Sequence, residues 1–257
     1  MAKTTSFITS IIFYLIGVAG LFFFILWVGD LLPVNPMEST PRHSWGVSLL
    51  INSGLILLFG IQHSVMARKN FKNTWTKIIP KQLERSIYVL LSGILCILIA
   101  TLWCPIDGVI WEFQTGTAGF YLTYGLFFLG IIILLTSTFL INHFELFGLQ
   151  QSYLHMIQRT ARKPKFSTFA LYQIVRHPIY LGLMMLLWFT PVMSLTHLSL
   201  SALFTAYIFI GIYFEEKDLI IEFGNTYHEY KKTVPSVIPF TKLGSRTYIP
   251  EEKTVSA

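Results

Sequence analysis

The chain has 257 residues, of which 53% are hydrophobic, 16% aromatic and only 12% charged, and its net charge is +6. Soluble domains carry roughly 25% charged residues, so this composition excludes an ordinary water-soluble domain and indicates a chain surrounded largely by lipid. The basic residues flank apolar runs instead of forming one basic face, which excludes nucleic acid as the expected partner.

Four apolar runs in the first part of the chain are each long enough to cross a bilayer, which takes about 20 mostly apolar helical residues. They are residues 7–28, 45–62, 87–105 and 119–141. A fifth apolar region, residues 179–214, contains no Asp, Glu, Lys or Arg, but it is too long for one ordinary crossing. We expect it to fold as a helical hairpin, with Pro191 and the stretch from Ser194 to His197 near its turn.

The distribution of basic residues favours six crossings, because Lys and Arg collect in cytoplasmic loops. With the N-terminus inside, the outer loops 30–44 and 106–118 hold only Arg42, and the other 18 of the 19 basic residues lie on the opposite side. The sequence therefore predicts an all-α, polytopic integral membrane protein with five or six transmembrane helices. Both termini are expected in the cytosol.

A candidate site lies where the hairpin begins, since ionisable groups near a membrane interior are usually functional. Pro178 disfavours helix at His177 but fits the first turn of a helix, so we predict that His177 is the N-cap of a helix starting at Pro178. The free N–H groups of that turn, with Arg176 beside them, favour a carboxylate or a phosphate. Gly182 would let a ligand or another helix approach closely.

The hairpin returns at Glu215 and Glu216, which places two carboxylates at the membrane depth of Arg176 and His177. Adjacent helical residues point about 100° apart, so we expect one carboxylate to face ligand hydroxyls and the other to form a structural ion pair. A cationic group for a carboxylate and carboxylates for sugar hydroxyls together suit S-adenosylmethionine. Its sulfonium would be attracted to the faces of nearby tyrosines, which are Tyr172, Tyr180, Tyr227 and Tyr230.

These motifs resemble the family of isoprenylcysteine carboxyl methyltransferases and related phospholipid methyltransferases. The matching stretches are Val175 to Gly182, Glu215 to Leu219, Phe223 to Tyr230, and Val234-Pro235. The resemblance implies a membrane-embedded methyltransferase that uses S-adenosylmethionine. It implies cofactor binding at Arg176, His177, Tyr180, Glu215 and Glu216, and we add as predicted cofactor contacts Tyr172, Val175 and Gly182.

The rest of the chain is similar to bacterial methanethiol S-methyltransferases, through Gln62 to Arg68, Glu84 to Leu90, and Phe139 to Leu149. This similarity implies conversion of methanethiol to dimethyl sulfide at the cytosolic face of a bacterial inner membrane. We divide the chain into a four-helix substrate-side region, residues 1–145, and a cofactor-binding region, residues 146–257, with a linker, the hairpin and a cytosolic tail. The second and third apolar segments also resemble nitric-oxide-reduction accessory membrane proteins.

Thiol methylation needs a thiolate, whereas a free thiol with a pKa of about 8.5 is mostly protonated at neutral pH. We predict that His63 or His143 acts as base or hydrogen-bond relay and that Arg68 or Arg85 lowers the local thiol pKa, with Glu84 as a further candidate. In the alternative, positioning in a closed pocket supplies most of the catalysis without a dedicated base. Glu84 beside Arg85 would then be only an interfacial ion pair.

The alternatives to a small-thiol methyltransferase are a methyltransferase with a larger substrate, a transporter and a non-catalytic accessory protein. A prenylcysteine carboxylate or a lipid headgroup is an alternative substrate, and it would demand a tunnel open to lipid. A transporter would place ionisable residues in mid-membrane, where we find only Asn52 and Gln62, and a non-catalytic accessory protein would need no cofactor pocket. No familiar metal-ligand spacing lies within one element, so no metal is expected from the pattern. The oligomeric state is left open.

Overall fold

The computed structural model describes residues 3–37, 39–160, 166 and 168–242. The long elements are all helical. The helices are α1 (Lys3–Val28), α2 (Trp45–Ala67), α3 (Lys69–Trp75), α4 (Glu84–Leu102), α5 (Ala118–Ile141), α6 (His143–Leu146), α7 (Leu149–Met156), α8 (Leu171–Ile174), α9 (Pro178–Trp188), α10 (Leu195–Phe223) and α11 (Asn225–Thr233). A 3-10 turn, Lys81–Leu83, precedes α4, and the two short strands are β1 (Val109–Glu112) and β2 (Val192–Ser194).

Five of these helices, α1, α2, α4, α5 and α10, have the length and composition to cross a membrane. This confirms the predicted all-α polytopic fold. The first limb of the hairpin is shorter than expected, because α9 has only 11 residues. Its rise of about 16 Å is roughly half of the hydrocarbon thickness of a bilayer.

After α9 the chain forms β2, which pairs with β1 in a two-stranded antiparallel sheet. Val109 of β1 pairs with Ser194 of β2, and Glu112 pairs with Val192. Since β1 lies between the end of α4 and the start of α5, β2 lies at the end of the bundle opposite to Arg176. The chain therefore reaches that end through α9 and residues 189–194, and α10 brings it back. The expected turn is thus a strand followed by a helix cap, in which Ser194 Oγ accepts a hydrogen bond from His197 N at 3.1 Å.

The helix ends that carry the candidate residues converge at one end of the bundle, called the Arg176 end below. Gln82 Nε2 donates to Ser6 Oγ at 3.2 Å, which places the start of α1 beside the start of α4. Arg68, which follows α2, reaches Asp218 of α10. The two ends of the described chain thus lie at the same end of the bundle, as the charge pattern predicted. The side of a membrane that this end faces stays a prediction.

Small residues allow α1 and α4 to pack with their backbones in contact. Gly17 and Gly20 of α1 face Val89 and Gly93 of α4. A Cβ atom added to Gly17 would lie 2.6 Å from the Val89 carbonyl oxygen. Backbone cannot yield as a flexible side chain can, so this contact requires glycine.

We expect Gly17→Ala to lower the free energy of unfolding by about 1–3 kcal/mol, because the added methyl group overpacks the α1–α4 contact. Denaturant unfolding of the detergent-purified protein would measure it. The matched control is Gly54→Ala on α2, where an added Cβ meets nothing within 4 Å. Equal stability of both variants and the wild type would contradict the close packing.

Gly182 is explained by helix packing. A Cβ atom on Gly182 would lie 2.7 Å from the Gly130 carbonyl oxygen and 2.8 Å from Leu134 N, both on α5. Of the two explanations offered from the sequence, the close approach of another helix accounts for this glycine. Contact of Gly182 with a cofactor stays a prediction.

The main apolar core contains side chains from both predicted regions, residues 1–145 and residues 146–257. The Phe204 ring of α10 packs against Phe24 of α1, with ring centroids 5.3 Å apart, and against Phe59 of α2, at 5.7 Å. Leu134 of α5 and Leu186 of α9 belong to the same cluster. The helices of the C-terminal stretch are therefore built into the bundle. The assignment of residues 1–145 to the substrate and 146–257 to the cofactor stays a prediction.

Candidate active site

The start of α9 meets the end of α10 through a buried cluster of charges. Arg176 Nε and Nη2 both donate to Glu216 Oε1, at 2.9 and 2.5 Å. His177 Nε2 lies 3.2 Å from the same oxygen, and Lys231 Nζ lies 2.6 Å from Glu216 Oε2. The exposed fractions of Arg176 and Glu216 are only 8% and 7%. The predicted meeting of the two motifs at one end of the bundle is confirmed.

The Arg176 side chain also holds the end of α11 and the residue that follows it. Its Nη1 donates to the Lys231 carbonyl oxygen at 3.2 Å and to the Val234 carbonyl oxygen. Buried ion pairs are stable only when such further hydrogen bonds satisfy the charged groups. The geometry therefore fits a clamp that joins α9, α10 and the C-terminal segment. Direct contact of Arg176 with a ligand carboxylate stays a prediction, and it would compete with these bonds.

The backbone around Arg176 is fixed by the same segment. Arg176 N donates to the Pro235 carbonyl oxygen at 2.9 Å, and His177 N donates to the Ser236 carbonyl oxygen at 3.0 Å. His177 is the N-cap of α9 and Pro178 occupies the first turn, as the sequence predicted. Val175 is 1% exposed, which places its side chain in the core. A contact of Val175 with a cofactor stays a prediction.

Glu215 differs from Glu216 in its surroundings. Its side chain is 45% exposed, and its Oε2 lies 3.7 Å from His177 Nδ1. The Tyr180 hydroxyl faces the same carboxylate. The two acidic residues thus divide as expected from their angular separation on the helix. Glu216 forms the structural ion pair, and contact of Glu215 with the hydroxyl groups of a ligand stays a prediction.

Four tyrosines lie within electrostatic range of the Glu215 carboxylate. They are Tyr88 of α4, Tyr172 of α8, Tyr180 of α9 and Tyr227 of α11, and Tyr207 of α10 interacts in turn with Tyr180. The pKa of the Tyr172 phenol is raised, chiefly by burial and to a smaller extent by the negative charge of Glu215. Its hydroxyl therefore stays protonated and can donate a hydrogen bond. Aromatic faces around one carboxylate favour a bound cation.

His63 is joined to this tyrosine cluster through Tyr88. The Tyr88 hydroxyl lies 2.7 Å from His63 Nε2, and Ser92 Oγ lies 3.2 Å from His63 Nδ1. The single hydroxyl hydrogen of Ser92 has two oxygen acceptors besides His63, the Tyr88 carbonyl oxygen at 2.9 Å and Gln62 Oε1 at 3.3 Å. When Ser92 donates to either oxygen, the ring proton of a neutral His63 is on Nδ1, and Nε2 accepts from the Tyr88 hydroxyl. This arrangement can pass a proton from Tyr88 to His63.

His143, the other predicted base, belongs to a different cluster. Its Nδ1 lies 2.9 Å from Thr138 Oγ1 and its Nε2 lies 2.9 Å from the Tyr14 hydroxyl. The ring stacks on Phe139 with centroids 4.3 Å apart. Burial lowers the pKa of His143, which keeps it neutral. The structure thus separates the two histidines: His63 joins the tyrosines around Glu215, and His143 joins α1, α5 and α6.

The two candidate arginines occupy different positions. Arg68 Nη1 forms an exposed ion pair with Asp218 Oδ2 at 2.9 Å, and its guanidinium lies 4.9 Å from the centre of the Phe214 ring. Arg85 lies over the Tyr88 ring at 4.5 Å, and its Nε donates to the Leu146 carbonyl oxygen at 2.7 Å. Arg85 is therefore the closer of the two to the Tyr88–His63 pair. The effect of either residue on a thiol stays a prediction.

Glu84 does not pair with Arg85, the adjacent residue that the sequence offers as its ion-pair partner. Within the described residues, the basic group that it meets is Lys72, with Nζ 3.9 Å from Glu84 Oε1, rather than Arg85. The side chains of adjacent residues at the start of a helix point in different directions, which explains the difference. A catalytic role of Glu84 stays a prediction.

Tyr88, Ser92 and Tyr207 were not among the site residues predicted from the sequence. The Tyr207 hydroxyl lies 3.2 Å from Ser64 Oγ of α2. Tyr207, Gly211 and Glu215 follow each other at four-residue spacing, which places them on one face of α10. Tyr88 and Ser92 have the same spacing on α4. That periodicity was available in the sequence, whereas the partner helix was not.

Comparison with known proteins gives close relatives over most of the chain. It is 43% identical to a methanethiol S-methyltransferase of Crocosphaera subtropica, covering 92% of this chain and 95% of that protein. It is 40% identical to methanethiol S-methyltransferase 1 of Bradyrhizobium diazoefficiens, covering 93% and 84%. A nurim homologue of Drosophila pseudoobscura pseudoobscura is more distant, at 27% identity over 82% of this chain and 92% of that protein. No protein-family model and no solved structure matches.

Proposed function

Because this chain belongs to the methanethiol S-methyltransferase family, we propose that it methylates methanethiol to dimethyl sulfide with S-adenosylmethionine as methyl donor. The observation that carries the proposal is the half-exposed Glu215 carboxylate, which has four tyrosines within electrostatic range and lies beside the Arg176–Glu216 clamp. A carboxylate among aromatic rings suits a ligand that combines hydroxyl groups with a sulfonium. The tyrosines and Glu215 thus fit the proposed donor.

The described residues divide the work of binding. Glu215 accepts hydrogen bonds from the hydroxyl groups of the nucleoside, and the rings of Tyr172 and Tyr180 face its cationic end. Arg176 and Glu216 keep the start of α9 and the end of α10 at a fixed separation, so that these groups are held in place before the ligand arrives. S-Adenosylmethionine supplies a methyl group that passes to the thiol sulfur as the methyl–sulfonium bond breaks, which leaves dimethyl sulfide, S-adenosylhomocysteine and one proton.

The Tyr88–His63 pair takes up the proton of the thiol. The Tyr88 hydroxyl accepts this proton as its own passes to His63 Nε2, along the hydrogen bond of 2.7 Å. Arg85, over the Tyr88 ring, favours negative charge on the hydroxyl oxygen and on a nearby sulfur. General acid–base catalysis of this kind contributes typically about 10²- to 10⁴-fold to a rate.

We infer that the protein lies in the bacterial inner membrane with the Arg176 end in the cytosol. The five long apolar helices and the common location of both described chain ends support this placement. The excess of basic residues at the Arg176 end supports the orientation, through the preference of Lys and Arg for the cytoplasmic side. A soluble donor made in the cytosol would then reach Glu215 directly.

A headspace assay tests the proposal. Membranes from cells that produce the chain receive methanethiol and S-adenosylmethionine, and dimethyl sulfide is measured by gas chromatography. We expect dimethyl sulfide above the level of membranes without the chain, and we expect no competition by prenylcysteine or phosphatidylethanolamine. Membranes that contain the folded chain and form no more dimethyl sulfide than the control would refute the function. Competition by either lipid-linked compound would instead indicate a larger substrate.

A further inference from the structure

A polar cavity of about 280 Å³ lies at the Arg176 end, next to the starts of α4 and α7 and the end of α5. The polar side chains that line it are Lys72, Glu84, Arg85, Asn142, Glu145 and Gln151. It thus brings basic, acidic and amide groups together. Methanethiol has only two heavy atoms and one weak donor, so the size and polarity of this cavity do not match it.

Two buried acceptors in this cavity have no hydrogen-bond partner among the described residues, namely Glu84 Oε1 and Gln151 Oε1. The Gln151 side chain is oriented by its other end, because Nε2 donates to the Glu145 carbonyl oxygen at 3.0 Å. Nearly all buried polar atoms in proteins are hydrogen-bonded, so two orphan acceptors in one cavity call for a donor. A group with several N–H bonds would satisfy both.

Neither basic group of the cavity is hydrogen-bonded to a carboxylate among the described residues. Lys72 Nζ is 3.9 Å from Glu84 Oε1, which is beyond hydrogen-bond distance, and burial lowers the Lys72 pKa. Arg85 uses Nε for the Leu146 carbonyl oxygen, and its two terminal nitrogens donate no hydrogen bond to the part of the chain that is described. The guanidinium is therefore available for a bound anion.

We propose that this cavity binds a zwitterionic group, with its primary ammonium at Glu84 and Gln151 and its anion at Lys72 and Arg85. Two compounds carry this chemistry at a membrane surface. One is the amino-acid end of the methyl donor, and that version rests on the proposed function. The other is the headgroup of phosphatidylethanolamine. The contact of Arg85 with Tyr88 joins the cavity to the tyrosine cluster, which favours the methyl donor.

Binding to the detergent-purified full chain tests the first source. S-Adenosylhomocysteine carries the amino-acid end, and 5′-methylthioadenosine is the matched nucleoside thioether without it. In isothermal titration calorimetry we expect the wild type to bind S-adenosylhomocysteine at least about tenfold more tightly than 5′-methylthioadenosine. Glu84→Gln and Lys72→Met should each remove most of this difference and leave the affinity for 5′-methylthioadenosine unchanged. Glu222→Gln, at an exposed position of α10, should preserve it.

Lipid binding tests the second source and does not depend on the methyl donor. Native mass spectrometry would compare phosphatidylethanolamine with phosphatidylcholine, whose ammonium has no N–H donors. Selective retention of phosphatidylethanolamine that Glu84→Gln abolishes would support the zwitterion site and assign it to lipid. The proposal would be overturned if Glu84→Gln and Lys72→Met unfolded normally and kept both wild-type preferences, that for S-adenosylhomocysteine and that for phosphatidylethanolamine. Failure of the wild type to bind either nucleoside would instead count against the proposed function. The lipid comparison alone would then show whether the cavity binds a zwitterionic group.

Discussion

Replacing Glu216 with alanine is expected to lower the free energy of unfolding by about 3–5 kcal/mol, the cost of leaving a buried charge without its partner. Arg176 would lose both of its bonds to Glu216 Oε1, and His177 and Lys231 would lose their acceptor. The start of α9 would then no longer be held to the end of α10. We therefore expect binding of S-adenosylhomocysteine to be lost as well, because the ion pair sets the separation of α9 and α10 at the proposed binding site.

The matched control for this variant is Glu229→Ala. Glu229 forms an exposed ion pair with Lys232 at 2.8 Å, and such pairs contribute about 0–1 kcal/mol. Thermal and denaturant unfolding in detergent measure the two stabilities, and titration with S-adenosylhomocysteine measures binding. If Glu216→Ala were no less stable than Glu229→Ala, the charge cluster would not be the clamp that we describe.

Replacing Tyr88 with phenylalanine is expected to lower the rate of dimethyl sulfide formation by about 100-fold or more at neutral pH. The variant keeps the ring that packs under Arg85 and loses only the hydroxyl group that bonds to His63 Nε2. A thiol without this relay must ionise unaided, so the rate of the variant should rise with pH until the pH reaches the pKa of the free thiol, which lies above neutral pH. The wild-type rate should depend less on pH over the same range.

Tyr14→Phe provides the matched control, because the Tyr14 hydroxyl makes the same kind of hydrogen bond to His143 Nε2. We expect this variant to keep the wild-type rate, since His143 lies in the cluster of α1, α5 and α6. The headspace assay and a thermal unfolding measurement apply to both variants. A wild-type rate for Tyr88→Phe would indicate that positioning alone drives the transfer, and a slow Tyr14→Phe would move the base to His143.

The first four long helices begin and end within about five residues of the predicted apolar runs. The apolar run 119–141, for example, became α5, Ala118–Ile141. In lipid every backbone polar group must be satisfied within its own segment, so a long apolar run has little choice but helix. The last apolar region deviated, because residues 189–194 leave the helix and pair with β1. That pairing joins segments that are about 80 residues apart, which no local pattern reveals.

The candidate site divides in a similar way. The N-cap at His177 was predictable because a proline and the residue before it restrict their own backbone. The partners of the Arg176 side chain were not predictable, since two of them are carbonyl oxygens, one in the last turn of α11 and one directly after it, and backbone acceptors have no signature in the residue type. Tyr207 and Tyr88 were hidden for a related reason, because each is an ordinary aromatic residue until another helix faces it.

The sequence by itself determined the class of the protein and the end of the bundle at which Arg176 and Glu216 lie. Hydropathy and charge act locally along the chain, so these properties are written in the order of residues. The tertiary structure alone decided that Glu216 is the buried partner and Glu215 the open one, and that His63 rather than His143 joins the tyrosines. Such choices depend on the rotation of each helix against its neighbours, which close packing across the bundle fixes.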